Sequence, residues 1–417
     1  MNPDRLVAGL DLGSAKTTAI IGEVVGDLPK HPSVKILGVG QARTTGMRRG
    51  VVADIEETTR SIRKAIQDAE RMAGVQVSEV YSGIAGEHVS AMTSKGIVAV
   101  SGDEINKSDV DRANEVARAQ AIPAERELLH AIPQEYTVDK NAGIRDPIGM
   151  SGTRLETEMY LVTIGSSPAV NLRKSVERAG YAVRELVLEP LASALAVLTE
   201  DEKELGVALV EMGAGTTDLA LFHEGKIRHL GTIAFGGNNV TSDIVHGLGV
   251  TGADAERLKE RYGCAYEPLV HPSDVIQLPS TVAQGDRQIP RELLAHIIHQ
   301  RMDEIFDLVQ REIATAGYAG KLSAGIVLTG GAAAMQGSAE LASDVFGTGV
   351  RVGVPSENLT GLSDSVEAPR FSTAVGLAQY GASRIALGAG TSARKSKVGT
   401  GMAGAVDKIK FWLQDFF

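Results

Sequence analysis

Gly206-Val-Ala-Leu-Val-Glu-Met-Gly-Ala-Gly-Thr-Thr-Asp-Leu-Ala-Leu221 is the stretch from which the fold can be read. An apolar strand, Val207 to Val210, runs into an acid, Glu211; a Gly-Ala-Gly turn follows, then two threonines, an aspartate and a second strand-like run. Glycine lets backbone N–H groups close on an anion, threonine adds hydroxyl donors, and a carboxylate at a strand end can hold a divalent cation through water. The pattern suits a phosphate cradle, although a glycine-rich hairpin between two core strands looks the same in isolation. A second copy stands at the start of the chain. Leu6-Val-Ala-Gly-Leu-Asp-Leu-Gly-Ser-Ala-Lys-Thr-Thr-Ala-Ile20 aligns Asp11 with Glu211, Gly13 with Gly213 and Thr17 with Thr217. An internal repeat of strand, acid, glycine turn and strand predicts a duplicated half-fold whose two turns face each other across a cleft.

Composition sets the bounds. With 417 residues, 43% hydrophobic and 23% charged, the chain has material for two or more domains and a large core. Its net charge of -10 argues against a general nucleic-acid binder, because the phosphate backbone would repel it. A single cysteine, Cys264, excludes a disulfide framework within the chain and fits a reducing compartment. Met1 to Arg5 does not read as a signal peptide and no apolar run is long enough to span a bilayer, so the body is expected in the cytoplasm.

In chain order, the opening strand pair ends near Gly26, and a third strand spans Val34 to Gly40. A helix capped by Asp54, with Glu57 three positions on, carries Ile55, Ile62, Ile66 and Ala69 at helical spacing and stops at Gly74; a buried strand at Val80 to Ile84 follows. This order is α/β. Between about Ala85 and Thr163 the texture changes to a small insert, with a strand at Gly96 to Val100, a helix at Ser108 to Gln120 and a strand at His130 to Val138. His130, Gln134 and Glu135 lie on one strand without a nucleophile nearby, so the insert reads as a contact module. Leu161 to Ile164 is expected to return to the core sheet, and Ser167 with Pro168 to open a helix ending at Gly180. After a strand at Glu185 to Leu188, Pro190 opens a helix of small and apolar residues, which must be buried. Glu189 then sits at a buried junction, where either a salt bridge or a cleft must accommodate its charge.

Farther on, Thr251 to Tyr262 reads as a charged helix with Glu256 and Lys259 on one face, and Arg291 to Thr315 as a long helix with a core stripe. His296 and His299 lack a third ligand and read as surface residues. Ala324 to Ala333 runs a buried strand into Thr-Gly-Gly, a third close approach of backbone, and Ser372 to Ile385 is the closing helix of the body. Gly388 to Met402 is small, polar and basic, a flexible linker. Beyond it, Val406, Ile409, Trp412, Leu413, Phe416 and Phe417 share one arc of a helical wheel opposite Asp407, Lys410 and Gln414. That is an amphipathic helix too short to cross a bilayer, suited to lying on a membrane surface or docking on its own body.

The two glycine turns, Glu-Pro before a small-residue helix, Thr329-Gly-Gly-Ala332 and the closing Ala-Val-Gly-Leu resemble the actin, chaperone and sugar-kinase ATPases. The tracts Leu129-His-Ala-Ile-Pro-Gln-Glu-Tyr136, Gly143-Ile-Arg-Asp-Pro-Ile-Gly-Met-Ser-Gly-Thr-Arg-Leu155 and Leu198-Thr-Glu-Asp-Glu-Lys-Glu-Leu205 narrow the resemblance to the FtsA family of bacterial cell-division proteins, over essentially the whole chain. The resemblance implies a duplicated actin-like (ribonuclease H-like) α/β ATPase fold of two lobes. Subdomain 1A would comprise 1–84, 164–198 and 370–387; the family insert 1C, 85–163; 2A, 199–238 and 314–369; 2B, 239–313; a linker, 388–403; and the membrane-targeting helix, 404–417. It further implies ATP with Mg2+ in the cleft. Gly13, Ser14, Ala15 and Lys16 would hold phosphates from one side, and Gly213, Ala214, Gly215, Thr216 and Thr217 from the other. Asp11 and Glu211 would order the magnesium waters, Glu189 would position the attacking water, Gly330, Gly331 and Ala332 would face the adenosine, and Glu256 with Lys259 would reach ribose and base. Where the family usually has Asp at 211 and Gly at 214, this chain has Glu and Ala, departures that bear on hydrolysis more than on binding.

The same resemblance implies partners. These are the carboxyl-terminal tail of the tubulin-like FtsZ on 239–313, met by Arg291 and Arg301; further copies of the chain in filaments; an anionic membrane on the cytoplasmic face; and later division proteins. The alternative on the same cleft is a small-molecule kinase or ATPase, which leaves the insert and the tail without a role.

Overall fold

The computed structural model describes residues 3–27, 31–278 and 287–395. The linker from 396 onward and the amphipathic segment, with Val406, Ile409, Trp412, Leu413, Phe416 and Phe417, lie outside the described residues.

Two main sheets repeat one strand order. In the first, His31–Arg43, Lys16–Asp27, Leu6–Leu12, Glu79–Ile84 and Ala182–Leu188 lie side by side, with Leu359–Gly361 added at the edge beside His31–Arg43. In the second, the order is Lys226–Ile233, Thr217–His223, Val207–Met212, Ile326–Thr329 and Val350–Val352. In both, the first two strands form an antiparallel hairpin and the fourth pairs in parallel with the first. The sequence repeat is kept in register, because Asp11 faces Thr18 and Leu12 faces Thr17, while Glu211 faces Asp218 and Met212 faces Thr217. The duplication read from the two turns is thus a duplication of whole half-folds.

Local chemistry explains the elements. Helix Ile55–Ala73 begins where the Asp54 carboxylate accepts from the Glu57 amide and ends at Gly74 in the left-handed region; Ile62, Ala65, Ile66 and Ala69 bury one face. The helix expected from a Ser167 cap instead starts at Ser166 with Gly165 at the cap and no side-chain cap bond, leaving Pro168 in its first turn. Helix Glu189–Val197 and the closing helix Ser372–Lys395 lie between the two sheets, and they touch backbone to backbone: a Cβ on Gly376 would stand 1.8 Å from the Ala192 carbonyl oxygen. The closing helix continues past Ile385 to Lys395, so the first residues read as linker are helical.

The insert has a sheet of its own, ordered Val89–Ala99, Arg154–Gly165, Arg126–Val138 and Asn141–Ile144, covered by helix Lys107–Arg118. Leu161 to Ile164, expected in the core sheet, are the inner end of the long strand Arg154–Gly165; their partners are Val89–Met92 and Glu127–Ala131 of the insert. Ile105, Val110, Ala113, Tyr136, Val138 and Leu155 form its separate small core. Ile132, Tyr160 and Val162 at its root join the main core shared with Leu191 and Phe222. Above the second sheet, helices Gly237–Leu248, Gly252–Tyr262 and Arg291–Thr315 and the hairpin Val275–Leu278/Arg287–Pro290 form the remaining unit. Among the described residues, no helix is long and apolar enough to cross a membrane.

Candidate functional site

The two hairpin turns meet across a cavity of about 710 Å³. Its lining takes Asp11, Gly13, Ser14, Ala15 and Lys16 from the first lobe and Glu211, Gly213, Ala214, Gly215 and Thr216 from the second. Glu189, Glu256, Lys259, Gly330, Gly331 and Ala332 join them, so that every residue expected from sequence to bind nucleotide or metal lines the cavity except Thr217. The turns approach so closely that a Cβ on Gly215 would stand 2.8 Å from the Ser14 hydroxyl and 3.2 Å from the Arg49 backbone, and glycine is the residue that fits. The amino end of helix Gly237–Leu248 docks on the second turn, with the Gly237 amide donating to the Gly213 carbonyl at 3.0 Å and the Asn238 amide to the Ala214 carbonyl at 2.8 Å.

One expected phosphate contact is absent from the lining. Thr217 is fully buried, and its hydroxyl donates to the Phe235 carbonyl at 2.9 Å. Its counterpart Thr17 is also fully buried and bonds the Thr44 hydroxyl at 2.8 Å. In a strand the residue after an outward-facing one points to the opposite face; Thr216 accordingly looks into the cavity and Thr217 into the core.

The floor carries four carboxylates. Burial, reinforced by the nearby Glu211, pushes Asp11 up to about 8. Burial and then the charges of Asp11, Glu211 and Asp218 hold Glu189 well above the usual carboxylate range. Glu211 is pushed up to about 7 by burial, against the hydrogen bond from Thr373. Asp218, pushed up to about 6 by burial, accepts from Thr232 at 2.6 Å and Thr216 at 3.0 Å. Glu189 has no ion-pair partner among the described residues, so the cleft, and not a salt bridge, accommodates it. Asp218 was in the quoted stretch and escaped as a site residue; its signal was its place opposite Glu211 in the hairpin. Thr373 gave no signal, since its link to Glu211 is tertiary.

The donor set fits a hydrated cation. Glu211 Oε2 is buried without a partner while the residue lines the cavity, and an orphaned acceptor in such a place calls for a donor such as a metal-bound water. Among the described residues, no group of three or more His, Cys, Asp or Glu side chains could hold a metal directly. At the other end of the cavity, Lys259 Nζ donates to Gly237 O at 3.0 Å, Thr241 Oγ1 at 2.7 Å and Glu256 Oε2 at 2.8 Å. Lys259 is therefore a structural tie on the cavity wall as well as a charge facing it. Lys16 reaches Glu260 at 3.8 Å across the mouth, an exposed pair of small energetic value.

The two arginines expected to meet an acidic peptide are otherwise engaged. Arg291 lines the cleft, donating to the Tyr262 carbonyl at 2.9 Å and Gln336 at 2.8 Å, and pairs with Asp274. Arg301 is held by both oxygens of Asp243, at 2.6 and 3.1 Å, and by Glu304, so its charge is already matched. His130 is structural: its Nε2 accepts from the Leu188 amide at 3.1 Å, and burial keeps it neutral, with a pKa of about 3.

Known proteins share this architecture. The family described as Cell division protein FtsA matches residues 208–376, and the one described as the SHS2 domain inserted in FTSA matches 86–163. The chain is 41% identical over 415 residues to the cell division protein FtsA of Pseudomonas aeruginosa, covering 99% of this chain and 98% of that one. It is 42% identical over 374 residues to the protein of the same name from Neisseria meningitidis, covering 89% of each. Among solved structures, the PilM-PilN type IV pilus biogenesis complex aligns with a TM-score of 0.63 at 17% identity, over 90% of this chain and 98% of that one. MreB5 of Spiroplasma citri bound to ADP aligns with a TM-score of 0.55 at 16% identity, over 90% and 95%.

Proposed function

The chain belongs to the FtsA family of cell division proteins and has an actin-like fold, and from that premise we propose that it is an ATP-binding tether that assembles on the inner face of the membrane. The observation that carries this reading is the cavity between the lobes, lined by both glycine turns and floored by carboxylates.

In that cavity, the backbone amides of Gly13, Ser14, Ala15 and Lys16 from one lobe and of Ala214 and Gly215 from the other face the phosphates of ATP, while Gly213, whose amide bonds the Thr216 carbonyl, and Thr216, whose hydroxyl bonds Asp218, shape the second turn. Asp11 and the free Oε2 of Glu211 order the waters of Mg2+, which when bound offsets the charge of phosphates beside carboxylates. Gly330, Gly331 and Ala332 receive the adenosine, and Glu256 and Lys259 form the wall toward ribose and base. Glu189 holds a proton or a water near the phosphates. Its surroundings favour the protonated form, which leaves little of the ionised base free to activate water, so hydrolysis is slow and ATP mainly holds a conformation.

The unit at 239–313 receives the tail of FtsZ. Among the described residues of this unit, Leu269, Val275 and Leu293 are the exposed large apolar side chains, and these suit a peptide contact better than the internally paired Arg291 and Arg301. Copies of the chain join into filaments with the insert at the contact, later division proteins are recruited to them, and the amphipathic segment with Trp412 lies in the cytoplasmic leaflet of the membrane. Electron microscopy on anionic vesicles tests this reading. Filaments on the lipid with ATP, and few or none without it, are expected; bare vesicles under both conditions would refute it.

A further inference from the structure

We infer that Thr373 is a positioning residue which, backed by Ser193, fastens the cleft carboxylate of the second lobe to the first lobe and so transmits occupancy of the cleft to the spacing of the lobes. The inference deepens the nucleotide reading and rests on it.

Glu211 ends a strand of the second sheet, whereas Thr373 and Ser193 belong to the two helices between the sheets, of which the closing helix packs on the first. All three are buried, at 7%, 5% and 0% exposure. The Thr373 hydroxyl donates to Glu211 Oε1. Ser193 stands 3.1 Å from the Thr373 hydroxyl and also acts on Glu211 as a hydrogen-bond donor, so its one proton serves the same carboxylate directly or through Thr373. Both hydroxyls of the first lobe therefore converge on the Glu211 carboxylate, Thr373 in direct contact and Ser193 behind it. The two oxygens of Glu211 are divided: Oε1 is committed to the first lobe, and Oε2, buried and unpartnered, is left for whatever enters the cavity.

The neighbouring residue supplies an internal comparison. Ser372 bonds the Thr329 hydroxyl at 2.6 Å, and Thr329 is the register partner of Glu211 on the adjacent strand. Two consecutive residues of the closing helix thus tie to two adjacent strand ends of the second lobe. The Ser372–Thr329 tie is enclosed by the Gly353 and Pro369 carbonyls and faces no ligand. The Thr373 tie alone ends on a group that lines the cavity. An aspartate at 211 would be shorter by one carbon–carbon bond, about 1.5 Å, and would leave Thr373 without its acceptor unless the lobes moved together.

The test measures Mg-ATP affinity by titration calorimetry and hydrogen exchange of the intact protein with and without nucleotide. Thr373→Val, of similar shape, is expected to weaken Mg-ATP about tenfold and to abolish nucleotide-induced protection of Val207–Met212 and the start of the closing helix. Thr373→Ser restores both. Glu211→Asp behaves like Thr373→Val, and combining the two costs little more than either alone. If Thr373→Val does not fold, the Glu211→Asp and Thr373→Ser arms carry the test. Parental affinity and protection in Thr373→Val, or fully additive losses in the double variant, overturn the inference and leave the nucleotide reading intact. A parent that binds no ATP overturns the nucleotide reading and the inference with it.

Discussion

Raising the pH from 7 to 8.5 should destabilise the nucleotide-free protein, and the cleft says by how much. Asp11, ordinarily at 3.8, is pushed up to about 8, and Glu211, ordinarily at 4.5, to about 7. Over this window the unfolded carboxylates have already lost their protons, while the folded ones still hold part of theirs. Stability that is full below the ordinary values is therefore lost as pH rises through the folded ones, at about 1.4 kcal/mol per pH unit for each proton retained. Integrating the Asp11 and Glu211 titrations from 7 to 8.5 gives a loss of about 1.5 kcal/mol, most of it from Asp11, and Glu189, held well above the usual carboxylate range, adds to the loss in the same direction. His130 carries the opposite dependence, because burial keeps it neutral in the fold, but its unfolded value of 6.5 puts that effect below the window. Urea unfolding in chelator at the two pH values reads the difference as a shift of midpoint. Asp11→Asn should make the loss smaller by about 1 kcal/mol, and saturating Mg-ATP should also diminish it in the parent by engaging the ionised carboxylates. A parent that becomes more stable with pH, or an Asp11→Asn variant that loses as much as the parent, would refute the reasoning.

Three further outcomes are expected. Trp412→Glu should abolish flotation with anionic liposomes while the parent survives moderate salt, since a large apolar side chain contributes roughly 1.5 to 3 kcal/mol on burial and each linker cation only about 1 kcal/mol; a variant that still floats contradicts a tail that binds through its apolar arc. Gly376→Ala would put a Cβ 1.8 Å from the Ala192 carbonyl oxygen, forcing the two helices between the lobes apart at a cost of about 3 kcal/mol or more, to be read in the thermal midpoint. Lys259→Met removes donors to Gly237, Thr241 and Glu256, and ATP affinity measured by calorimetry should fall about tenfold.

Much of the fold was legible because the repeat is local. Strand, acid, glycine turn and strand fit in a dozen or so consecutive residues, and the same pattern around Asp11 and Glu211 marks the duplicated half-fold and both walls of the cleft. Helix Arg291–Thr315 was legible from its apolar spacing. What escaped depends on partners distant in sequence. Leu161 to Ile164 are apolar enough for any core strand, and only their pairing with Val89–Met92 assigns them to the insert. Arg291 and Arg301 appear on the sequence as free cations; Asp274 and Asp243, which neutralise them, come from other elements. Thr217 follows the glycine turn as Thr216 does and looks equivalent to it on the sequence, but its side chain turns into the core and bonds the Phe235 carbonyl.

The insert also has a physical reason to respond to the cleft. Beyond its covalent attachment to the first lobe, it is tied to the second: Arg145 meets Glu204 at 2.7 Å, and the buried Tyr160 packs in one core with Val207 and Phe222. The exposed ion pair contributes little by itself. The buried Tyr160 contact is different in kind, because breaking it would open the core that it shares with Leu191, Val207 and Phe222 to water. A change in the angle between the lobes must therefore either strain this contact or carry the insert with it. Packed cores resist continuous deformation, so the second course is the less costly. An insert that moves with the lobes places any surface it offers to another copy under the control of the cleft, and assembly can then depend on bound nucleotide without fast hydrolysis. On that argument the raised carboxylates, unfavourable for turnover, and the polar tie at Glu211 serve the same end.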